Sequence, residues 1–176
     1  LASATATATL AAPQTYDLDP GHSQIVFSYN HGGFSTTYGM FSGFGGQVSF
    51  DADAPENSSV SVSMPVRSML TGWEKRFDHF MGADFFDAAG DEAVTFTSTG
   101  IEVTGEDTAH ITGDLTINGV TKSVVLETRL NKATDKMLGF DATATLLRSD
   151  YGLGLYVPHV SDEVEVVISI EAGLAE

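Results

Sequence analysis

The apolar and polar positions along this chain alternate as they do in β-strands. In Ser59-Val60-Ser61-Val62-Ser63-Met64-Pro65-Val66 the period is two, which is typical of a strand with one buried face. The same alternation recurs in Ile25-Phe27-Tyr29, Val94-Phe96, Ile111-Leu115-Ile117, Phe140-Ala142-Ala144-Leu146 and Val164-Val166-Ile168-Ile170. Successive strands of this kind build a curved sheet with one apolar face. A sheet of about eight strands can close into a barrel that encloses a small apolar ligand.

The pattern also predicts where the strands begin and end. We expect strands at about residues 24–33, 39–51, 58–66, 93–99, 108–118, 120–130, 138–148 and 163–171. Short polar turns join them, so we predict an antiparallel meander. Asn118-Gly119 is a two-residue hairpin signal, because both residues tolerate a positive φ. The glycines of the second strand (Gly39, Gly43, Gly45 and Gly46) predict a bulge or a sharp bend there.

One segment changes to the helical period. Thr71 and Glu74 have the spacing of a capping box, in which each side chain satisfies a backbone donor near the other. Trp73, Phe77, Phe80 and Met81 then follow at i, i+4, i+7 and i+8, the spacing of one apolar helix face. We therefore predict one amphipathic helix of about three turns near residues 71–82, which covers one end of the barrel as a lid or plug.

Composition excludes several classes of function. The formal net charge of −16 argues against nucleic acid and against an anionic membrane surface as partners. The absence of cysteine rules out a disulfide framework, a thiolate metal site and a cysteine nucleophile. No stretch approaches ~18 continuous apolar residues, so we predict no integral membrane span.

The first thirteen residues differ from the rest of the chain. They are rich in alanine and threonine and carry no charge, so we expect residues 1–13 to be a signal-peptide remnant or a disordered tether. A single barrel domain is expected over 14–176. A segment of this kind indicates export, and we expect a periplasmic or secreted bacterial protein.

Several short motifs occur in one order over nearly the whole chain after residue 14. They are Tyr16-Asp17-Leu18-Asp19-Pro20-Gly21-His22-Ser23; Phe27 with His31; the glycine and phenylalanine run 39–46; Ser68 with Thr71; Arg76 with His79-Phe80; Asp84-Phe85-Phe86-Asp87 with Phe96 and Ser98; Gly113-Asp114-Leu115-Thr116-Ile117-Asn118-Gly119-Val120-Thr121-Lys122; and Arg148-Ser149-Asp150-Tyr151-Gly152. In this combination the chain resembles the YceI-like, polyisoprenoid-binding family.

The resemblance implies a fold and a ligand class. It implies an all-β, eight-stranded, lipocalin-like antiparallel barrel with a helix near one end. It further implies an elongated apolar cavity for a long-chain isoprenoid or a similar amphiphile, in exported proteins that often form homodimers. The chain departs from the family at Phe77, where an acidic residue is common, and at Val157-Pro158-His159-Val160, which would alter one rim of the cavity.

The candidate cavity wall consists of bulky residues on the apolar side of the strands and helix. They are Phe27, Tyr29, Phe44, Val48, Phe50, Val62, Met64, Trp73, Phe77, Phe80, Phe86, Phe96, Leu115, Leu126, Phe140, Leu146 and Ile168. For Trp73, Phe77 and Phe80, ordinary core packing is the alternative interpretation.

Three residues are candidates for holding the polar head of a ligand: His22, His31 and Arg148. His31 has the same parity as Phe27 and Tyr29 and is expected on their face of the strand. Arginine suits phosphate because it donates two parallel hydrogen bonds. A salt bridge from Arg148 to Asp150 or another acid is the alternative. The acidic charge of the chain makes a neutral head, such as a quinone, alcohol or amide, at least as plausible as a diphosphate.

Metal and catalytic motifs are missing from the sequence. The five histidines form no His-x-His or His-x-x-x-His pair, and there is no nucleophile elbow or phosphate-binding loop. We therefore predict no metal, no catalytic residue and no cofactor other than a bound lipid. The leading hypothesis is a protein that binds and transports a long-chain apolar lipid, such as a polyisoprenoid or an isoprenoid quinone. The alternatives are an enzyme or stress-response factor acting on a lipid-like substrate, with His31 or His22 as general base, and a solid β-sandwich adhesin.

Overall fold

The computed structural model of this chain describes residues 12–176. The expected signal remnant or tether therefore falls, for residues 1–11, outside the described residues. The strands are β1 (Gln14–Leu18), β2 (Gln24–His31), β3 (Ser35–Ser42), β4 (Gly45–Phe50), β5 (Ser59–Pro65), β6 (Met69–Leu70), β7 (Ala93–Val103), β8 (Thr108–Ile117), β9 (Val120–Ala133), β10 (Met137–Leu147) and β11 (Glu163–Leu174). The α-helix α1 spans Glu74–Met81, and short 3-10 helices span Pro55–Asn57, Val66–Ser68 and Arg148–Tyr151.

These strands form one closed antiparallel barrel. Strand β1 pairs with β4 on one side and with β11 on the other, which closes the sheet. Three pairs of segments, β1 with β2, β3 with β4 and β5 with β6, each act as one interrupted barrel strand. Strands β1 and β2 both pair with β11, β4 and β3 pair with β1 and β2 in turn, and β5 and β6 pair with β4 and β3. The barrel therefore has eight strands in meander order, as the alternation predicted. A solid sandwich adhesin is the wrong architecture.

The interruptions of the first two barrel strands were only partly predicted. Strand β1 was missed, because the turn at Asp19-Pro20-Gly21 separates it from the stronger pattern of β2. The predicted strand 39–51 breaks into β3 and β4 at Gly43, whose φ of +71° is left-handed and suits glycine. The bend expected from the glycines is therefore a true break in the strand.

The hairpin between β8 and β9 is confirmed. Asn118 has a φ of 53° and Gly119 a φ of 73°, so both turn residues have the positive values that a tight hairpin requires. Ile117 pairs with Val120 directly across the turn. This turn sets the register of the two strands that follow one another in the meander.

The helix is confirmed, but it is shorter than predicted and begins differently. Trp73, not Thr71, is the N-cap residue, and no side chain caps the helix. Gly72 has a φ of +72°, and the Thr71 hydroxyl donates to the carbonyl oxygen of Trp73 at 2.9 Å. The capping box between Thr71 and Glu74 was therefore wrong, because the turn at Gly72 uses the Thr71 hydroxyl before the helix begins.

One end of the barrel, which we call the helix end, is built from α1 and three connections. The β2–β3 hairpin contacts the connection 148–162 through Gly32 N–H, which donates to the His159 carbonyl at 2.9 Å. The β8–β9 turn contacts the same connection, because Asn118 Nδ2 donates to the Tyr151 carbonyl at 3.1 Å. The His79 ring of α1 lies 6.2 Å from the ring of Tyr156. None of the helices described for residues 12–176 is long and apolar enough to cross a membrane.

Candidate ligand cavity

A cavity of about 340 Å³ lies inside the barrel. This volume is within the range of about 300–1,000 Å³ that small-molecule sites occupy. Its wall is almost wholly apolar, because successive inward positions on the strands, for example Val164, Val166 and Ile168 of β11, face it together. The alternation read from the sequence is therefore the pattern of a cavity wall as well as of a core.

Most of the residues expected in the wall line this cavity. They are Phe27, Tyr29, Val48, Phe50, Val62, Met64, Phe80, Phe86, Phe96, Leu115, Leu126, Phe140, Leu146 and Ile168. This is their position in the fold; their part in holding a ligand stays a prediction.

Three of the expected wall residues lie elsewhere. Trp73 is 56% exposed, since it precedes the first turn of the short helix. Phe77 lies under the guanidinium of Arg67, whose Cζ is 5.4 Å from the ring centroid. Phe44 is fully buried in the core beside the strand break. Of the predicted aromatic stripe Trp73, Phe77 and Phe80, only Phe80 lines the cavity, and Phe77 packs against the buried core instead.

Several wall residues were missed by sequence reasoning. Phe85, Tyr151 and Leu153 line the helix end of the cavity, and Ala142 and Ala144 line its side. The alanines belong to an alternating segment and were visible in the pattern, but a search for bulky residues passes over them. Tyr151 and Leu153 follow a strand end, where periodicity gives no signal.

Arg148 is the cation of the cavity wall, at the helix end. Its guanidinium donates to four backbone carbonyls of the connection that follows it. Nε donates to Ser161 at 2.7 Å and Nη2 to Val160 at 2.9 Å, while Nη1 donates to Leu155 at 2.7 Å and also to Leu153. Burial lowers the pKa of Arg148 from its ordinary value. The alternative interpretation, a salt bridge from Arg148 to Asp150 or another acid, is not found among the ion pairs of the described residues, because carbonyls occupy these donors.

The donors of Arg148 are nearly used up by the protein. A guanidinium has five N–H groups, and four of them are engaged here. One N–H of Nη2 has no acceptor among the hydrogen bonds of the described residues. The arrangement fits one hydrogen bond to an oxygen better than the bidentate grip that a phosphate takes.

Two tyrosines lie at the same end of the cavity as Arg148. Tyr29 and Tyr151 both line it, and burial raises the pKa of the Tyr151 phenol. Phenol hydroxyls and a guanidinium N–H are hydrogen-bonding groups, and four carbonyl oxygens already offset part of the positive charge of Arg148. This end of the cavity can therefore hold a small uncharged polar head.

The opposite end of the cavity is bordered by carboxylates. Glu106 and Asp107, in the β7–β8 turn, both line it there. Asp107 forms an ion pair with Arg129, whose Nη2 is 2.9 Å from its carboxylate. A polar head carrying negative charge would be repelled at this end and would be better placed beside Arg148.

The two histidines predicted as head-group candidates lie outside the cavity wall. His22 is exposed in the turn between β1 and β2, and its Nδ1 is 2.7 Å from Asp19. His31 is exposed at the end of β2, with its ring 6.2 Å from that of His159. The sequence predicted His31 on the inward face of β2 with Phe27 and Tyr29. The side chain is exposed instead, because β2 ends at this residue. Neither histidine is placed to act as a general base on a ligand in the barrel.

Among residues 12–176, Asp19, His22 and Glu171 form a group that could hold a metal ion. One potential ligand atom from each lies within 4.8 Å of the others. The hydrogen bond with Asp19 raises the pKa of His22 and lowers that of Asp19. An Asp–His hydrogen bond beside a second carboxylate accounts for this grouping without a metal.

The chain is a closed eight-stranded antiparallel β-barrel with an apolar cavity and one α-helix among the described residues. These features place it in the class of small β-barrel proteins with an internal cavity. The YceI-like domain matches residues 16–172, so the chain belongs to the YceI-like family. A UPF0312 protein of Ectopseudomonas mendocina (strain ymp) is 39% identical over 167 residues, which cover 92% of this chain and 87% of that protein.

Solved structures have the same barrel. BcnA of Burkholderia cenocepacia superposes with a TM-score of 0.81 at 26% identity, covering 88% of this chain and 98% of that one. A polyisoprenoid-binding domain from Saccharophagus degradans, implicated in plant cell wall breakdown, gives a TM-score of 0.74 at 15% identity, covering 92% and 99%. The second likeness is one of fold alone.

Proposed function

We propose that this protein binds a long-chain apolar lipid with an uncharged polar head inside the barrel and carries it through water. The observation that carries the proposal is the cavity of about 340 Å³, apolar along its wall and bordered by Arg148 at one end. The polyisoprenoid-binding domain from Saccharophagus degradans, which has the same fold, supports this ligand class.

The energetics of such binding need no specific chemistry. Each methylene transferred from water to an apolar site contributes about 0.8 kcal/mol. Ten buried carbons therefore contribute roughly 8 kcal/mol, before the loss of ligand freedom is subtracted. Affinity arises from the apolar wall, and the shape of the cavity limits the length and the branching of the chain.

The polar head is expected at the helix end. There Arg148 has one N–H for a carbonyl or hydroxyl oxygen, and Tyr29 and Tyr151 are close neighbours in the wall. A quinone, an alcohol or an amide supplies such an oxygen without the charge that the acidic chain would repel. The tail then extends along the barrel toward Glu106 and Asp107.

The test compares two substitutions at neighbouring positions of β10. Ala144 lines the cavity, whereas Thr143 is exposed on the outside of the same strand. Ala144→Phe fills the space a tail would occupy, and Thr143→Phe adds the same ring outside. We expect lipid extraction and native mass spectrometry to find a co-purifying lipid in the wild type and in Thr143→Phe.

Ala144→Phe should lose that lipid and bind a long-chain isoprenoid alcohol at least ~10-fold more weakly, since one ring removes several methylene contacts. A wild-type protein that neither co-purifies with lipid nor binds the alcohol would refute the proposal. Equal binding by the two variants would show that the lipid is not held in the barrel.

A further inference from the structure

The helix end carries a group of exposed apolar side chains, which we call the docking face. It consists of Phe34, Tyr38, Leu70, Trp73, Tyr156 and Val157, all of them exposed, with Phe34 at 87%. Large exposed apolar groups are unremarkable when scattered, but a cluster of them marks an interaction surface.

The members of the docking face are linked through neighbouring elements. Phe34 and His159 both flank Gly32, so the tip of the β2–β3 hairpin meets the segment that contains Tyr156 and Val157. On β3, Tyr38 lies two residues before Met40, which pairs with Leu70 of β6. Trp73 comes three residues later and begins α1.

An unbroken series of rings joins this face to the cavity. The series begins at Tyr29 in the cavity wall, whose ring centroid is 6.4 Å from that of Phe80. The next centroid–centroid distances are 5.4 Å between Phe80 and Phe85, 4.9 Å between Phe85 and His79, and 6.2 Å between His79 and Tyr156. A lipid tail could therefore follow aromatic surface from the exterior to the interior. The docking face lies where cargo would enter or leave.

The segments that form most of this face carry no charge. The sequence has no Asp, Glu, Lys or Arg between Asp19 and Asp51, nor between Asp150 and Asp162, although the chain contains 24 acidic and 8 basic residues. These two segments therefore contribute no charge to the docking face. Near the start of α1, Lys75 and Arg76 offset Glu74 and Asp78.

We propose that the docking face contacts the surface of an uncharged, zwitterionic lipid bilayer. Tryptophan and tyrosine favour the membrane–water interface, because each combines an apolar ring with a polar group. The face has no charged cluster that would select an ionic protein partner. The net charge of −16 opposes an anionic bilayer, so the contact is made with neutral headgroups.

The protein contains its own reporter for this contact. Trp73 is the single tryptophan of the chain and is 56% exposed. With phosphatidylcholine vesicles we expect its emission to shift to shorter wavelength, brominated phosphatidylcholine to quench it, and the protein to float with the vesicles. Replacing half of the lipid with phosphatidylglycerol should weaken the binding. Unchanged emission with no flotation, or tighter binding to phosphatidylglycerol, would overturn the proposal.

Single substitutions then locate the contact. Phe34→Ser and Tyr156→Ser should each lower vesicle partitioning about 5-fold or more, since each removes a ring from the interface. Val125→Ser, on the exposed outer face of β9, should change it less than 2-fold. Circular dichroism checks that all three fold. Equal losses in all three variants would overturn the proposal, as would a shift of Trp73 emission caused by self-association without lipid.

This inference is independent of the proposed cargo. Ala144→Phe, which fills the cavity, leaves the docking face unchanged and should bind vesicles like the wild type. If Ala144→Phe loses its lipid and keeps vesicle binding, both proposals stand. If the wild type binds lipid but ignores vesicles, only the docking proposal fails.

Discussion

Gly39 provides the space that the ring of Phe27 occupies. The two residues are paired across β2 and β3, and a Cβ built on Gly39 would overlap with Cζ of Phe27. Because Phe27 also lines the cavity and packs 6.0 Å from Phe41, the missing side chain at Gly39 sets the position of a wall residue.

Replacing Gly39 should therefore affect stability and binding together. In Gly39→Ala the ring must move, and we expect a loss of about 1–3 kcal/mol in the free energy of unfolding, as for an overpacked core. The displaced ring narrows the cavity, so lipid affinity should also fall. Gly45→Ala is the matched control, because nothing lies within 4 Å of its added Cβ. Urea denaturation of both variants checks this; equal stability would contradict it.

Arg148 is expected to hold the connection 148–162 in place. Its four carbonyl partners lose their donor in Arg148→Met. We expect a loss of about 2–4 kcal/mol in the free energy of unfolding, as hydrogen bonds to a charged group are lost. Hydrogen exchange should increase at Leu153, Leu155 and Val160. Arg148→Lys should be intermediate, since one ammonium cannot reach all four carbonyls. A variant as stable as the wild type would argue against this role.

The turn between β1 and β2 should respond to pH through His22 and Asp19. The raised pKa of His22 means that its contribution is complete below its ordinary value of 6.5 and is lost as pH rises through the higher folded value. The lowered pKa of Asp19 means that its contribution is present above 3.8 and is lost as pH falls through the lower folded value.

The pair should therefore stabilise the fold most between these limits. His22→Gln should lower the melting temperature in the pH window from about 4 to 6.5, and the difference from the wild type should shrink at higher pH. Thermal melts across this range, with NMR titration of the His22 ring, measure both effects. A His22 pKa at or below its ordinary value would contradict the expectation.

Asn118 has two roles in the β8–β9 turn, which substitutions can separate. Its φ of 53° disfavours alanine, and its Nδ2 donates to the Tyr151 carbonyl at 3.1 Å. Asn118→Ala loses both features and should lower the free energy of unfolding by about 1–2 kcal/mol. Asn118→Gly keeps the backbone conformation and should cost roughly half as much. Urea denaturation measures both variants. If they lower the free energy of unfolding equally, the positive φ at Asn118 does not contribute to the difference in stability.

Much of this architecture could be predicted from alternation and turn chemistry. The periodic segments of β7 to β11 lie in long strands that pair with sequence neighbours, so local patterns describe them well. The first two barrel strands were harder, because their interruptions at Gly21 and Gly43 divide each of them into two short segments with a weaker pattern. The start of α1 was also misjudged, since the turn at Gly72 competes with the capping box for the Thr71 hydroxyl.

The sequence by itself determined the strand order, the apolar face and the residue types that line the cavity, because these follow from a period of two and from short turns. Only the tertiary structure decided that Arg148 uses its donors on carbonyls, that His22 and His31 lie outside the barrel, and that the uncharged segments meet at the helix end. Those outcomes depend on contacts between residues far apart in the chain. A local pattern predicts which side of a strand a residue lies on, but it does not predict which distant segments cover the end of the barrel.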